Sequence, residues 1–368
     1  MNLSCIFPID KTGDSLLHLR KINIIETMHS TNPADYAIAT MGSHTALQIL
    51  KGAKDEGMKT ICVVTPKTRT VYERYGIVDE FIEIDHYKNF PKVTEELRHK
   101  NAIVIPHGSF VSYLGHERVR ELDVMHYGTK GILEWESDRA KERVWLDRAG
   151  LKLPRIFETP EDIDCPVIIK FHGAQGGFGY FIAKSPEEFY ERMEEFPNED
   201  DFVIQEYIVG VPMYVHYFYS PLNDELEIMS FDKRYESNAD SIGRIAAKDQ
   251  LEADIHTSYT ITGNIPLVVR ESLLPMFYEI GENVIKTSRE LNEGQGLFGP
   301  FCLEGIIDTN LDYYVFEISA RIVAGTNPYT HGSPYTWLRY DEPMSTGRRV
   351  ARDIKQGIEG GELEKVLG

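Results

Sequence analysis

Two glutamates separated by twelve residues, Glu304 and Glu317, are the side chains of this sequence best placed to do chemistry, and Glu317 opens the run Glu317-Ile-Ser319-Ala-Arg321. Apolar stretches flank the polar segment Asp308-Thr-Asn-Leu-Asp312, which predicts two adjacent strands joined by a tight turn. Side chains alternate along a strand, so Glu317, Ser319 and Arg321 share one face and a paired Glu304 comes alongside them. Two acids, a hydroxyl and a guanidinium then converge. Buried without partners they would cost several kcal/mol, so the pattern calls for a divalent cation with an anion beside it. Mg²⁺ (or Mn²⁺) with the phosphates of a nucleotide fits both. Taken alone, the same pattern also describes an amphipathic hairpin with a solvated acidic face.

A second candidate lies upstream. Residues 164–171 read as a buried strand carrying Lys170 near its end, followed by the glycine-rich segment His172-Gly-Ala-Gln-Gly-Gly-Phe-Gly179 and a further strand. A lysine beside a loop of glycines suits contact with nucleotide phosphates as the loop closes above them. No Gly-Lys-Ser/Thr follows, so this is not a Walker loop. Residues 202–210, Phe-Val-Ile-Gln205-Glu206-Tyr-Ile208-Val-Gly, read as a strand running into a sharp turn. The basic pair in Asp232-Lys-Arg-Tyr-Glu236-Ser-Asn is a candidate for substrate phosphate, and Ile261-Thr-Gly-Asn264-Ile-Pro reads as a loop whose amide faces a heterocycle or simply makes a turn.

The elements that must position these groups begin near residue 36. Short apolar strands over 36–40, 60–64, 81–84 and 102–106 alternate with helical segments, the pattern of a doubly wound parallel sheet. In such sheets ligands sit at the carboxyl ends of strands, where Gly42-Ser43-His44-Thr45 and His107-Gly108-Ser109 provide polar groups for a phosphate or sugar. Gly42 lacks the later glycines of a dinucleotide fingerprint, which argues against NAD. Residues 1–35 read as one or two helices without evident chemistry. A charged amphipathic helix over 135–149 and a stop at Gly150 mark the approach to a new unit, and residues 337–357 read as a closing helix packed back on the catalytic part.

The chain of 368 residues is 42% hydrophobic, enough for two or three domains with cores of their own. Its net charge of −19 argues against nucleic acid or an anionic membrane surface as partner. No apolar run approaches the ~20 residues of a membrane span, and the first residues lack a signal-peptide pattern, so a cytoplasmic location is expected. Cys5, Cys62, Cys165 and Cys302 lie far apart, indicating neither a zinc site nor a disulfide framework.

The spacing of Glu304 and Glu317-x-Ser319-x-Arg321 resembles the metal-binding end of the ATP-grasp superfamily, with Ser319 where an asparagine is usual. Lys170, the glycine loop and Gln205-Glu206 follow the order of that fold. The segments Thr40-Met-Gly-Ser-His-Thr, Pro106-His-Gly-Ser-Phe, Asp232-Lys-Arg-Tyr-Glu-Ser-Asn and Ile261-Thr-Gly-Asn-Ile-Pro are similar to those of archaeal formate-dependent 5-formaminoimidazole-4-carboxamide ribonucleotide (FAICAR) synthetases. The resemblance implies an α/β chain: an N-terminal doubly wound parallel-sheet (pre-ATP-grasp) domain over 1–130, then an ATP-grasp α+β domain pair, nucleotide-binding over 131–210 and metal- and substrate-binding over 211–368. It implies ATP and Mg²⁺ (or Mn²⁺), with formate and 5-aminoimidazole-4-carboxamide ribonucleotide (AICAR) as further substrates and a homo-oligomer as the default assembly. Carried over position by position, His44, Ser109 and Asn264 would bind AICAR, and Lys170, Gln205, Glu206, Ile208 and Glu236 would bind ATP. Glu304 and Glu317 would hold the metal, while Lys170 and Arg321 would act on the transferred phosphoryl group. Gln175 and Phe178 stand where the family's loop often carries basic residues. That leaves a ligase acting on another small amine or nucleotide as the alternative. A nucleotide-binding regulator without turnover is a third reading, against which the paired acids argue.

Overall fold

The computed structural model describes residues 30–175, 178–197, 201–253, 255, 259–292 and 296–368. The helices expected over 1–35 fall outside these, apart from a short turn at Pro33–Asp35, as do Gly176 and Gly177 of the glycine loop. The chain divides into two compact units. One comprises the described residues up to Gly131 with Ser220–Glu225 and Gly347–Gly368, the other Ile132–Tyr219 with Leu226–Thr346.

The first unit is built on five parallel strands, β1 (Ala37–Met41), β2 (Lys59–Val64), β3 (Glu80–Glu83), β4 (Ala102–Val104) and β5 (Met125–His126), in the order β3-β2-β1-β4-β5. Every residue of β1 is buried, as a strand covered on both faces requires. The winding reverses between β1 and β4, so the segments leaving those two strands flank the switch point where ligands bind in such sheets. β5, only two residues long, was not expected from sequence. The closing helix departs from expectation too. There are two helices, Pro334–Tyr340 and Thr346–Gly360, and the second packs within the first unit. Its contacts explain why. The Glu56 carboxylate accepts from Arg348 at 2.7 Å and Arg352 at 2.6 Å, and Gln48 Oε1 accepts from Gly347 N at 3.0 Å. At Gly52 the two helix backbones meet so closely that a Cβ would fall 2.5 Å from the Arg348 Cα.

The second unit carries two antiparallel sheets. β6 (Ile156–Phe157), β7 (Val167–Gln175), β8 (Phe178–Ala183) and β9 (Phe202–Glu206) pair in the order β6-β9-β7-β8, over a phenylalanine-rich core of Phe171, Phe181 and Phe189 with Phe196 and Phe202. β10 (Val211–Ser220), β11 (Glu225–Ser237), β12 (Tyr259–Leu267), β13 (Gly299–Ile307) and β14 (Tyr313–Ser319) pair in the order β12-β11-β10-β13-β14. The segment expected as a loop around Asn264 is therefore a strand. β12 is an edge strand, where the missing N–H of Pro266 costs no ladder bond on the open side. The helix expected over 135–149 is broken at Asp138, whose side chain caps the helix Arg139–Arg148 by accepting from Ala140 N and Lys141 N, so Ile132–Ser137 forms a helix of its own. No helix among the described residues is long and apolar enough to cross a membrane.

Candidate active site

β13 and β14 form the expected hairpin. Its turn is fixed by Asp308, whose Oδ1 accepts from Asn310 N and Asp312 N at 2.9 Å each. Glu304 stands opposite Glu317 and Cys302 opposite Ser319, and a bulge on β14 at Phe316, just before Glu317, sets that register. Directly opposed residues of an antiparallel pair project from the same face, so the two carboxylates lie together. Glu304 is 6% exposed. Burial and then the facing Glu317 push its carboxyl up to about 7, against the pull of Arg234 and Arg321.

Each acid has its own cation. Arg234 Nη2 donates to Glu304 Oε2 while its guanidinium lies 5.1 Å from the centre of the Tyr214 ring. Of the basic pair read as a candidate for substrate phosphate, Arg234 is turned inward onto the acid, since β11 continues through it to Ser237. Glu317 Oε2 accepts from Arg139 Nη2 at 3.2 Å, and Arg139 Nη1 reaches Glu142 Oε2 at 2.8 Å. Glu142 Oε1 accepts from Ile318 N at 2.7 Å, and Glu136 Oε2 from Ala320 N at 2.8 Å. Burial raises both of these carboxyls, that of Glu142 to about 7. Arg321 does not stand free beside the acids. Its Nη2 is paired with Glu136 Oε1 at 2.8 Å, while its buried Nε has no hydrogen-bond partner among the described residues.

Lys170 projects from β7, and its Nζ donates to Gln205 Oε1 at 3.1 Å across the β7/β9 ladder. Burial, and then the Arg139 charge, lower its pKa, while Glu317 acts in the opposite sense. Glu206, expected to bind ATP, is engaged by Arg155. Its carboxylate accepts from Arg155 N at 3.0 Å and its own N–H donates to Arg155 O at 2.8 Å, because β6 pairs with β9 at this point. Tyr207 N is likewise taken, by Pro166 O at 2.8 Å. Glu236, half-buried on β11, acts electrostatically on Arg234 and Tyr214.

Asn264 is tied into a buried relay. Its Nδ2 donates to Asp232 Oδ2 at 2.7 Å, and Asp232 Oδ1 accepts from His216 Nε2 at 2.7 Å. In the first unit, His44 and Ser109 come together at the switch point. The His44 ring stacks on His107 with centroids 5.5 Å apart, and Ser43 Oγ donates to Ser109 Oγ at 3.1 Å. His107 is held by Met41 O at 2.9 Å, and Tyr87 OH donates to Gly42 O. His44 is exposed and takes a left-handed φ of 54°, which turns its ring out of the helix that begins at Ala46.

Sequence reasoning missed Glu136, Arg139, Glu142, His216 and Asp232. For the first three the only local signal is Asp138, a capping residue in the middle of an otherwise continuous charged helix. For His216 and Asp232 the signal is a polar residue at an inward position of an apolar strand.

A parallel α/β unit, followed in sequence by a unit whose two antiparallel sheets carry a strand-borne lysine and a facing acid pair, defines an ATP-grasp protein. Solved structures agree. An IMP biosynthesis protein PurP from Thermococcus kodakaraensis aligns over 90% of this chain and 100% of its own with a TM-score of 0.70 and 30% identity. The ADP complex of PurK, an N5-carboxyaminoimidazole ribonucleotide synthetase, covers 89% of this chain and 79% of its own at a TM-score of 0.62 and 13% identity, a likeness of fold. Residues 38–157 match a family described as a protein of unknown function, DUF1246, and residues 189–368 a domain of unknown function, DUF1297. A 5-formaminoimidazole-4-carboxamide-1-(beta)-D-ribofuranosyl 5'-monophosphate synthetase of Pyrococcus abyssi is 55% identical over 336 residues, 90% of this chain and 98% of that protein. The chain belongs to that synthetase family, and is an ATP-grasp ligase.

Proposed function

We propose that the protein formylates AICAR to FAICAR with ATP and formate, releasing ADP and phosphate through formyl phosphate. A formate oxygen attacks the γ-phosphorus and the bond to ADP breaks. The exocyclic amine of AICAR then attacks the formyl carbon, phosphate leaves, and the amine loses a proton. Lys170 offsets charge on the phosphoryl oxygens, and the unpartnered edge of Arg321 contributes from a position fixed by Glu136. The backbone of Ile208 with Gln205 and Glu236 holds the nucleotide. His44 and Ser109 hold the ribonucleotide, as does Asn264, and a weakly nucleophilic arylamine makes that positioning count.

Glu304 and Glu317 suit a hard divalent cation, Mg²⁺ or Mn²⁺, since two facing carboxylates need positive charge between them. Among the described residues no third acid, histidine or cysteine joins them, so phosphate oxygens and water would complete the ligand set. Such an ion would neutralise the phosphates and orient them. On this reading the partners are small molecules in the cytoplasm, and a symmetric homo-oligomer is the default assembly.

The observation that carries the reading is the in-register pairing of Glu304 and Glu317 with Lys170 in the same unit. Its test is ADP release from MgATP with formate and AICAR present together and each omitted in turn. Turnover that requires both is expected. ADP release indifferent to AICAR would overturn the assignment of the amine.

A further inference from the structure

The relay His216–Asp232–Asn264 crosses three neighbouring strands, and both ends of its central carboxylate are spoken for. Asp232 is 0% and His216 1% exposed. Gly325 closes the relay from above, where a Cβ would lie 2.5 Å from Asp232 Oδ1 and 2.7 Å from His216 Nε2. An ionised carboxylate only accepts hydrogen bonds, so both neighbours must present N–H groups to it. That settles two orientations which heavy-atom positions alone leave open. His216 carries a proton on Nε2, and Asn264 turns its NH₂ inward. The amide oxygen of Asn264 therefore points away from Asp232, and among the described residues it has no partner.

From this we infer that Asp232 and His216 are positioning residues that lock Asn264 with its carbonyl outward, so that the site demands an N–H donor from the acceptor substrate. This rests on the assignment of Asn264 to the acceptor. An isolated asparagine rotates its amide to suit donor or acceptor alike. One held by a buried carboxylate does not. A ligand that offers an oxygen at that point meets a second oxygen and leaves both unsatisfied, which is how a polar site rejects a near-isostere. His216 serves by filling Oδ1, which keeps the carboxylate from rotating.

The test compares binding of AICAR with two analogues, the ribonucleotide lacking the 5-amino group and the one carrying a 4-carboxylate in place of the carboxamide. Wild-type protein with MgATP is expected to prefer AICAR over at least one of them by about tenfold or more. Asp232→Asn lets the amide of Asn264 turn over, so that ratio should shrink toward unity while the KM for ATP stays within about twofold. The exchange Asp232→Asn with Asn264→Asp reverses the bond between the two side chains, restores an outward oxygen and retains the charge, and should recover the discrimination. Thermal melting of each variant checks folding. If Asn264→Ala leaves AICAR binding unchanged, the acceptor assignment itself fails. If Asn264→Ala weakens AICAR but Asp232→Asn and the exchange both keep the wild-type ratio, the assignment stands and the positioning inference is overturned.

Discussion

Glu317 is partly exposed and pairs with an arginine whose own side chain is 70% exposed, whereas Glu304 is buried with Arg234. An ion pair open to water is worth little, so Glu317 exchanges its partner readily, and the stronger burial of Glu304 holds the pair in place. Glu317→Gln should therefore leave the melting temperature within a few degrees while lowering kcat for ADP release by at least about a hundredfold. Near-normal turnover in that variant would remove the acid pair from the chemistry. Lys170→Ala should raise the KM for ATP with little change for AICAR. His44→Ala should do the reverse, raising the AICAR KM by about tenfold, roughly 1.4 kcal/mol. Equal effects of the two substitutions on both substrates would argue against separate nucleotide and ribonucleotide roles. The acids, the lysine and the switch-point histidine were legible because residue type and strand context coincide locally. The partners that restrain them were not. Nothing within a few residues of Arg321 announces Glu136, and nothing near Glu206 announces that Arg155 will occupy it.

The strand β14 shows how elements rather than single residues hold the site. Two successive helices, Ile132–Ser137 and Arg139–Arg148, direct Glu136 and Glu142 at the backbone N–H groups of Ala320 and Ile318. The second helix is anchored in turn by Trp145, whose Nε1 donates to Val284 O at 3.1 Å. Glu142→Ala would orphan the Ile318 N–H, a buried donor, at a cost of about 1–3 kcal/mol. Urea unfolding should show that loss, and kcat should fall with it because Glu317 is the neighbouring residue on the strand. A stability loss with unchanged kcat would mean that Glu317 keeps its place without this support. Sequence periodicity revealed β13 and β14, whose pairing is local. It misread β12, because a Gly-Asn-Ile-Pro run has turn composition and only the ladder with β11 makes it a strand. It also ran the two helices into one, since helical spacing continues across Asp138 and only the cap bonds reveal the break.

Stability of the molecule as a whole should carry the mark of one buried histidine in the first unit. His126 lies on β5, 1% exposed, with Nδ1 3.1 Å from Gly128 O. A carbonyl only accepts, so Nδ1 carries the proton, and Nε2 is left buried without a partner. A second proton would put an unbonded charge there, with Lys130 adding its repulsion to the burial, and together these hold the pKa down at about 3. The unfolded chain takes that proton near the ordinary value of about 6.5. Between the two values the unfolded state binds more protons than the folded one, so the His126 contribution is fully present above about 6.5 and is lost as pH falls toward 3. The slope approaches 1.4 kcal/mol per pH unit in that window. The buried carboxyls of Glu142, Glu304 and Glu136 work in the opposite sense, losing stability as pH rises, the first two through about 7. The raw profile therefore mixes these with His126, and the comparison that isolates His126 is with His126→Asn, whose amide supplies the N–H to Gly128 but does not titrate. Urea denaturation from pH 7 to pH 5 should show wild type losing more stability than the variant by about 2 kcal/mol, and parallel profiles would mean that the folded histidine accepts its second proton without difficulty.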